Sequence, residues 1–152
     1  MILSISGDDK AGKSTLAITA PKPISYYEFD LGSFEGATLG PGLGRLGINV
    51  NGLVPKQFLL PMQALNLSKL AIPSKLVVGM KELWYSVLTQ FAQDFASPKV
   101  STVIVDTNTI LWEMCTLSFL QELQERQYVG GALPPGERLR EKLQQVEYGE
   151  PN

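Results

Sequence analysis

Nine residues near the start of the chain, Gly7-Asp8-Asp9-Lys10-Ala11-Gly12-Lys13-Ser14-Thr15, constrain its fold more than any other stretch. Two glycines bracket four residues and are followed at once by Lys-Ser, the spacing of a phosphate-binding loop, or P-loop. Gly7 and Gly12 free the backbone to curl until its N–H groups converge on an anion. Lys13 then reaches the β- and γ-phosphates as a point charge, and Ser14 offers its hydroxyl to Mg²⁺. A helix opening at Lys13 adds free N–H groups and a positive dipole end to the same anion. The competing reading is a glycine-rich turn that fits the spacing by coincidence.

Local context argues for the loop. Residues 2–6, Ile-Leu-Ser-Ile-Ser, predict a strand, and residues 14–20 predict a helix stopped by Pro21. Residues 24–30, Ile-Ser-Tyr-Tyr-Glu-Phe-Asp, predict a second strand, rich in aromatic residues and ending in acidic ones. Strand, helix and strand at this length form a βαβ unit, so the class is α/β with parallel strands. Ligands of such sheets lie at the carboxyl ends of strands, which puts Asp30 on the phosphate-facing edge. Glu28 shares its face by two-residue alternation, and Glu35 follows on the loop.

Residues 31–76 are punctuated by glycine and proline. Within them, residues 48–54 suggest a small hairpin around Asn51-Gly52, and residues 58–62 a buried connection. From 80 to 96 the pattern is helical: Leu83, Trp84, Val87, Leu88, Phe91, Ala92 and Phe95 recur on one face, and Ser97-Pro98 closes the helix. Residues 100–106 then form an apolar run ending in Asp106, the Walker B arrangement, whose carboxylate helps hold Mg²⁺ opposite Ser14. Thr107-Asn108-Thr109 caps a further helix with an apolar face of Ile110, Leu111, Met114, Leu117, Leu120 and Leu123. Trp112 and Cys115 are read as packing residues of that helix. A last, strongly charged helix is expected over 137–146; Arg138, Arg140 and Lys142 make it a solvated face or a DNA-contacting patch.

Composition narrows the chemistry. A chain of 152 residues, 44% hydrophobic and 18% charged, has the length and make-up of one globular domain. It has no histidine, which excludes His-based triads and Zn–His sites, and its single cysteine, Cys115, excludes a disulfide framework. No apolar run reaches the roughly 20 residues of a membrane span and no signal peptide precedes the first strand, so the expected compartment is cytoplasmic, with no membrane partner. A net charge of −2 speaks against a strongly basic nucleic-acid sleeve and leaves a local patch or an oligomeric groove open.

Taken together, Gly7 to Ser14, the Tyr26-Tyr27-Glu28-Phe29-Asp30 strand with its glycine-rich turn, Trp84 in the helix before Walker B, and Ile104-Val105-Asp106-Thr107 leading into Leu111-Trp112-Glu113 resemble the phage-encoded RecA-like ATPases of single-strand annealing and recombination. The closing Tyr148-Gly149-Glu150-Pro151-Asn152 resembles a stretch those proteins carry before their next helix. The resemblance covers nearly the whole chain and implies a three-layer sandwich around a mostly parallel sheet. It implies ATP and Mg²⁺ as ligands, single-stranded DNA as partner, a homo-oligomer, and the host cytoplasm if the chain is phage-encoded. Residues 7–15 (Gly7, Asp8, Asp9, Lys10, Ala11, Gly12, Lys13, Ser14 and Thr15) would bind the nucleotide, with Ser14 and Asp106 supporting the metal. Many RecA-like enzymes carry the water-activating carboxylate at the end of strand two, and Asp106 has no adjacent Glu. Asp30 is then the first choice of catalytic residue beside Lys13, Glu28 the second and Glu35 the third; a plain strand-end charge is the rival reading.

The chain departs from that pattern in one respect. A RecA-like sheet sets a later strand between the P-loop strand and the Walker B strand, and nothing after Asp106 reads as one. Either the chain is a piece of a longer ATPase, incomplete at its C-terminus, or residues 48–60 supply strands in an unusual order. Two other functions compete with a DNA-stimulated ATPase: a P-loop kinase with Asp30 on the acceptor hydroxyl and a lid arginine from Arg126, Arg138 or Arg140, and a nucleotide-binding adaptor without turnover.

Overall fold

A computed structural model of the chain describes residues 2–30, 32–39, 43, 46–58, 76–128 and 132–143. Among these residues the elements are α1 (Lys13–Ala17), β1 (Ile24–Glu28), α2 (Ser33–Thr38), β2 (Leu53–Gln57), α3 (Met80–Ala96), β3 (Thr102–Asp106) and α4 (Asn108–Gln127). The class is α/β, and the sheet is all parallel in the order β2-β1-β3. The chain falls into two compact units, Met1–Leu59 with Gln90–Asn108 and Leu60–Thr89 with Thr109–Asn152.

The first unit is built around β1. Ile24 N–H bonds to Gly52 O at 2.8 Å and Phe58 N–H to Glu28 O at 3.0 Å, while Phe29 N–H bonds to Asp106 O at 2.9 Å. In the observed parallel register, β1 therefore spends its even-numbered amides on β2 and its odd-numbered ones on β3. The same register turns the amide position of residue 55 away from β1, so Pro55 costs the ladder nothing.

Both faces of β1 are covered. Ile24 and Tyr26 pack with Ile104, with Ala17 and Ile18 at the end of α1, with Phe34 and Ala37 of α2, and with Leu43, Ile48 and Leu53. On the opposite face Tyr27 lies against Phe91 of α3, ring centroids 4.3 Å apart, and stacks on Phe58 at 5.6 Å. The Tyr27 hydroxyl donates to Asp94 Oδ2 at 2.6 Å, and Lys56 Nζ sits 2.6 Å from the same carboxylate. Burial alone would raise the Asp94 carboxyl, but hydrogen bonds from Lys56, Tyr27 and Ser25 outweigh it and hold Asp94 below the usual carboxylate range. Burial, then the bond to Asp94, pushes the Tyr27 phenol well above its ordinary value.

In the second unit α4 buries Met114, Cys115, Ser118 and Leu120 together with two amides, Gln121 and Gln124. Gln121 Oε1 accepts from the N–H groups of Met80 and Lys81 at 2.8 and 2.9 Å, and Gln124 Oε1 from Val77 N–H at 2.7 Å. The Met80 and Lys81 N–H groups are orphan donors of the kind that open any helix, here α3, whereas Val77 lies before its start. Cys115 is buried, and desolvation raises its thiol pKa, in keeping with a packing role. Trp112 is 41% exposed, so the packing role expected of it is corrected to a surface position.

Several expectations from sequence need correction. Residues 2–6 are not a strand: Ile2 and Leu3 are exposed and no bridge pairs the segment with the three-stranded sheet, and apolar composition alone does not make a strand without a paired neighbour. The helix after the P-loop ends at Ala17, with bonds from Thr19 N–H to Leu16 O and Ala20 N–H to Ala17 O tightening it into a turn. The expected second strand stops at Glu28, leaving Asp30 just past its end, and the expected Walker B strand begins only at Thr102. No hairpin forms over 48–54; Asn51 N–H bonds to Asn49 Oδ1 at 2.9 Å, Gly52 turns at φ +81°, and the chain enters β2 parallel to β1. Residues 48–60 do therefore supply a strand.

Residues 137–143 are not helical. Arg140 N–H donates to Gln127 Oε1 at 3.1 Å and Arg140 O accepts from Gln124 Nε2 at 2.5 Å, so its backbone is bound to α4 side chains rather than to a helix of its own. Phe95, assigned to the apolar face of α3, is exposed, while Val87 is fully buried. Residues 59–62 of the expected buried connection, residues 144–146 of the last helix and the closing 148–152 lie outside the described residues. No helix among the described residues is long and apolar enough to cross a membrane.

The Lys56–Asp94–Tyr27 cluster sets a pH window for the first unit. Asp94, lowered in the fold, stabilises above its unfolded pKa of about 4 and loses that contribution as pH falls through its native value. Tyr27, raised in the fold, stabilises fully below about pH 10 and loses it as pH climbs higher. Asp94→Ala should lower unfolding free energy by about 3 kcal/mol at pH 7, since it strands Lys56 and Tyr27 together. Asp94→Asn should flatten the acid limb of a melting-temperature profile; an unchanged limb would contradict the assignment.

Candidate functional site

The site is assembled at the carboxyl ends of β1 and β3, where the Gly7–Gly12 loop feeds α1. Gly12 takes φ +81°, a left-handed conformation that side-chain-bearing residues rarely adopt, and its O accepts from Leu16 N–H at 2.9 Å. A Cβ at Gly12 would meet nothing within 4 Å, so glycine is needed there for its backbone and not for space. Asp8 O accepts from Ala11 N–H at 3.2 Å, which folds the loop into a turn. Lys13 Nζ curls back over that turn, donating to Gly7 O at 2.9 Å and Asp8 O at 2.7 Å. The side chains of Asp8, Asp9 and Lys10 point to an exposed surface.

Ser14, on the first turn of α1, donates its hydroxyl to Asp106 Oδ2 at 2.7 Å. The two residues are 92 positions apart in the chain, and the bond joins the loop to the end of β3. Tyr26 of β1 donates its own hydroxyl to the same oxygen. Burial, then the bond to Asp106, raises the phenol's pKa far above neutral pH, so it acts as donor. Asp106 Oδ1 has no hydrogen-bond partner among the described residues. A hydroxyl and a carboxylate are the hard oxygen ligands Mg²⁺ prefers, and Mg²⁺ usually keeps waters and phosphate oxygens for its remaining positions. Among the described residues no cluster of three or more His, Cys, Asp or Glu side chains offers a larger, all-protein cage.

The other carboxylates divide. Glu28 is 1% exposed and its two oxygens are engaged: Oε1 accepts from Phe34 N–H at 2.9 Å and Oε2 from Gln57 Nε2 at 2.7 Å. It ties β1 to the first turn of α2 and to β2. Asp30 is exposed, and its carboxylate has no partner among the described residues; only its backbone O is used, by Ser33 N–H at 3.1 Å. Glu35 lies exposed on α2.

Thr15 and Gly12 also line an open groove of about 600 Å³, whose other walls are Leu16, Thr19, Ala37, Leu43, Leu46 and Ile48. The groove is apolar and begins at the loop itself.

Of the residues expected from sequence, Ser14 and Asp106 are brought together, Lys13 turns its amine onto the loop carbonyls, Asp30 lies exposed two residues past β1, and Glu28 is committed to the scaffold. Tyr26 was missed as a site residue. A buried tyrosine needs a partner for its hydroxyl, and Tyr26 shares the Glu28 and Asp30 face; those two signals together were available. Compared with protein-family models, curated protein sequences and solved structures, the chain gives no match.

The division among carboxylates can be tested by stability. Glu28→Ala, which leaves the Phe34 amide and Gln57 side chain unpaired, should cost about 2 kcal/mol in denaturant unfolding. Asp30→Ala, at an exposed position, should cost within roughly 0.5 kcal/mol. Equal costs would remove the distinction.

Proposed function

We propose that the chain is the ATP-binding and ATP-hydrolysing core of a RecA-like P-loop ATPase that acts on single-stranded DNA in phage recombination or annealing, as an oligomer in the cytoplasm. The observation that carries the nucleotide part is the Ser14–Asp106 hydrogen bond, 2.7 Å across 92 residues, between the hydroxyl of a Lys-Ser loop and the carboxylate ending a parallel strand. A fortuitous glycine turn has no reason to meet that carboxylate. What supports the DNA part is the likeness of residues 24–30 and of 104–107 with 111–113 to the recombination ATPases.

In this reading residues 7–15 cradle the phosphates, and Lys13 exchanges the Gly7 and Asp8 carbonyls for β- and γ-phosphate oxygens. Ser14 and Asp106 would hold Mg²⁺, which when bound neutralises charge on the β- and γ-phosphates. Asp30 orients the attacking water; it is at the strand end with its carboxylate unengaged among the described residues, whereas Glu28 would have to abandon two hydrogen bonds. The apolar groove beginning at Gly12 and Thr15 offers a surface for the nucleobase. A three-layer RecA-like sandwich accommodates the observed α/β unit, with α1 and α2 on one face of the sheet and residues 90–96 of α3 on the other.

The test is ATP binding by calorimetry and ATP turnover, each with and without single-stranded DNA. Lys13→Ala should reduce turnover by about 10²-fold or more, on the scale of losing one preorganised charge donor. DNA should stimulate the wild type and leave Lys13→Ala unchanged. Turnover indifferent to DNA, with phosphate passed to a small acceptor, would instead make the chain a kinase; tight binding without turnover would make it an adaptor.

A further inference from the structure

We propose that Tyr26 is the positioning residue of the metal site, its hydroxyl fixing the Asp106 carboxylate so that Ser14 can turn toward a divalent cation without the carboxylate swinging away. This rests on the nucleotide reading above and adds to it a residue that touches neither phosphate nor metal.

The geometry is specific. Ser14 Oγ and the Tyr26 hydroxyl both donate to Asp106 Oδ2, and Oδ1 has no partner among the described residues. Two donors on one oxygen define the plane and the rotation of the carboxylate; one donor defines neither. When Ser14 Oγ directs a lone pair to a cation its bond to Asp106 can lengthen or bend, and Tyr26 is then what keeps Oδ2 in place.

Tyr26 is itself held. It is wholly buried on the central strand, and its ring meets Phe34 edge-on, centroids 5.2 Å apart at 68°. Phe34 is anchored in turn through its N–H to Glu28, whose other oxygen is bound to Gln57. The hydroxyl therefore cannot wander from Asp106 without disturbing β2 and α2. Outer-shell partners of this kind commonly change metal affinity 10–100-fold when removed.

Tyr26→Phe keeps the ring and its contact with Phe34 and deletes only the hydroxyl. Binding of a fluorescent ATP analogue is measured across a Mg²⁺ titration and again in excess EDTA, with melting temperature followed in parallel. The Mg²⁺ half-saturation point should rise about tenfold, while affinity in EDTA should stay within about twofold of wild type because the loop and Lys13 are untouched. An unchanged Mg²⁺ dependence overturns the proposal, and so does an equal loss in EDTA, which would mark a purely structural role. Should Tyr26→Phe fail to fold, Phe34→Leu removes the edge-on support and leaves the hydroxyl; it should shift the Mg²⁺ curve in the same direction by a smaller factor, and no shift overturns the proposal. A wild-type chain that binds no nucleotide in either condition overturns the nucleotide reading along with this one.

Discussion

The structure hangs on one constraint: β1 is buried on both faces and paired along both edges, so none of its polar groups can be left to water. Its amides are shared alternately between β2 and β3. Its side chains carry two phenols, a hydroxyl and a carboxylate into the interior, where a polar group without a partner costs several times what a satisfied one contributes. Ser25 and Tyr27 share one partner on α3, and Tyr26 and Glu28 reach the other elements. Tyr26 bonds to Asp106 on β3, Tyr27 to Asp94 on α3, and Glu28 to the Phe34 amide of α2 and the Gln57 side chain of β2. Five residues thus fix the relative places of four other elements.

Alternation along the strand also separates two kinds of chemistry. The Tyr27 face holds a closed ion pair, Lys56 with Asp94, under stacked aromatic rings, where every charge has found its opposite. The Tyr26 face holds a carboxylate that receives two neutral hydroxyls and no cation among the described residues. Neighbouring residues of one strand therefore build a locked polar core on one side and a responsive oxygen site on the other. Neutral donors orient Asp106 without an ion pair among the described residues.

How much of this was legible in the sequence depended on how local the determining interaction is. The Lys-Ser loop, the helix over 80–96 and the Asp106 strand end were readable because spacing within a few residues carries each of them. The segment 2–6 looks like a strand by composition, yet strands are made by neighbours, and nothing local says that none pairs with it. Leu53 to Gln57 was hidden for the converse reason: a proline and a lysine depress strand propensity at a position where the register tolerates both. The charged stretch from 137 has helical composition and lost to a long-range competitor, the amides of Gln124 and Gln127 that take the backbone of Arg140. At the candidate site, residue types and spacing singled out Ser14 and Asp106, which the fold brings together, whereas the contacts of Tyr26 with Asp106 and of Glu28 with Gln57 join residues far apart in sequence and needed the fold.

Pro55 has a consequence beyond its own strand. Its nitrogen lies in the outward row of β2, between the outward amides of Leu53 and Gln57, so a strand laid against that side meets a gap in the middle of the donor row. On the far side of the sheet, the bond from Thr102 N–H to Pro23 O puts Val103 and Val105 in the opposite phase, with their amides turned outward and uninterrupted. The two outer edges of the sheet therefore differ: the donor row of β2 is broken at Pro55, and that of β3, the strand that carries Asp106, is not.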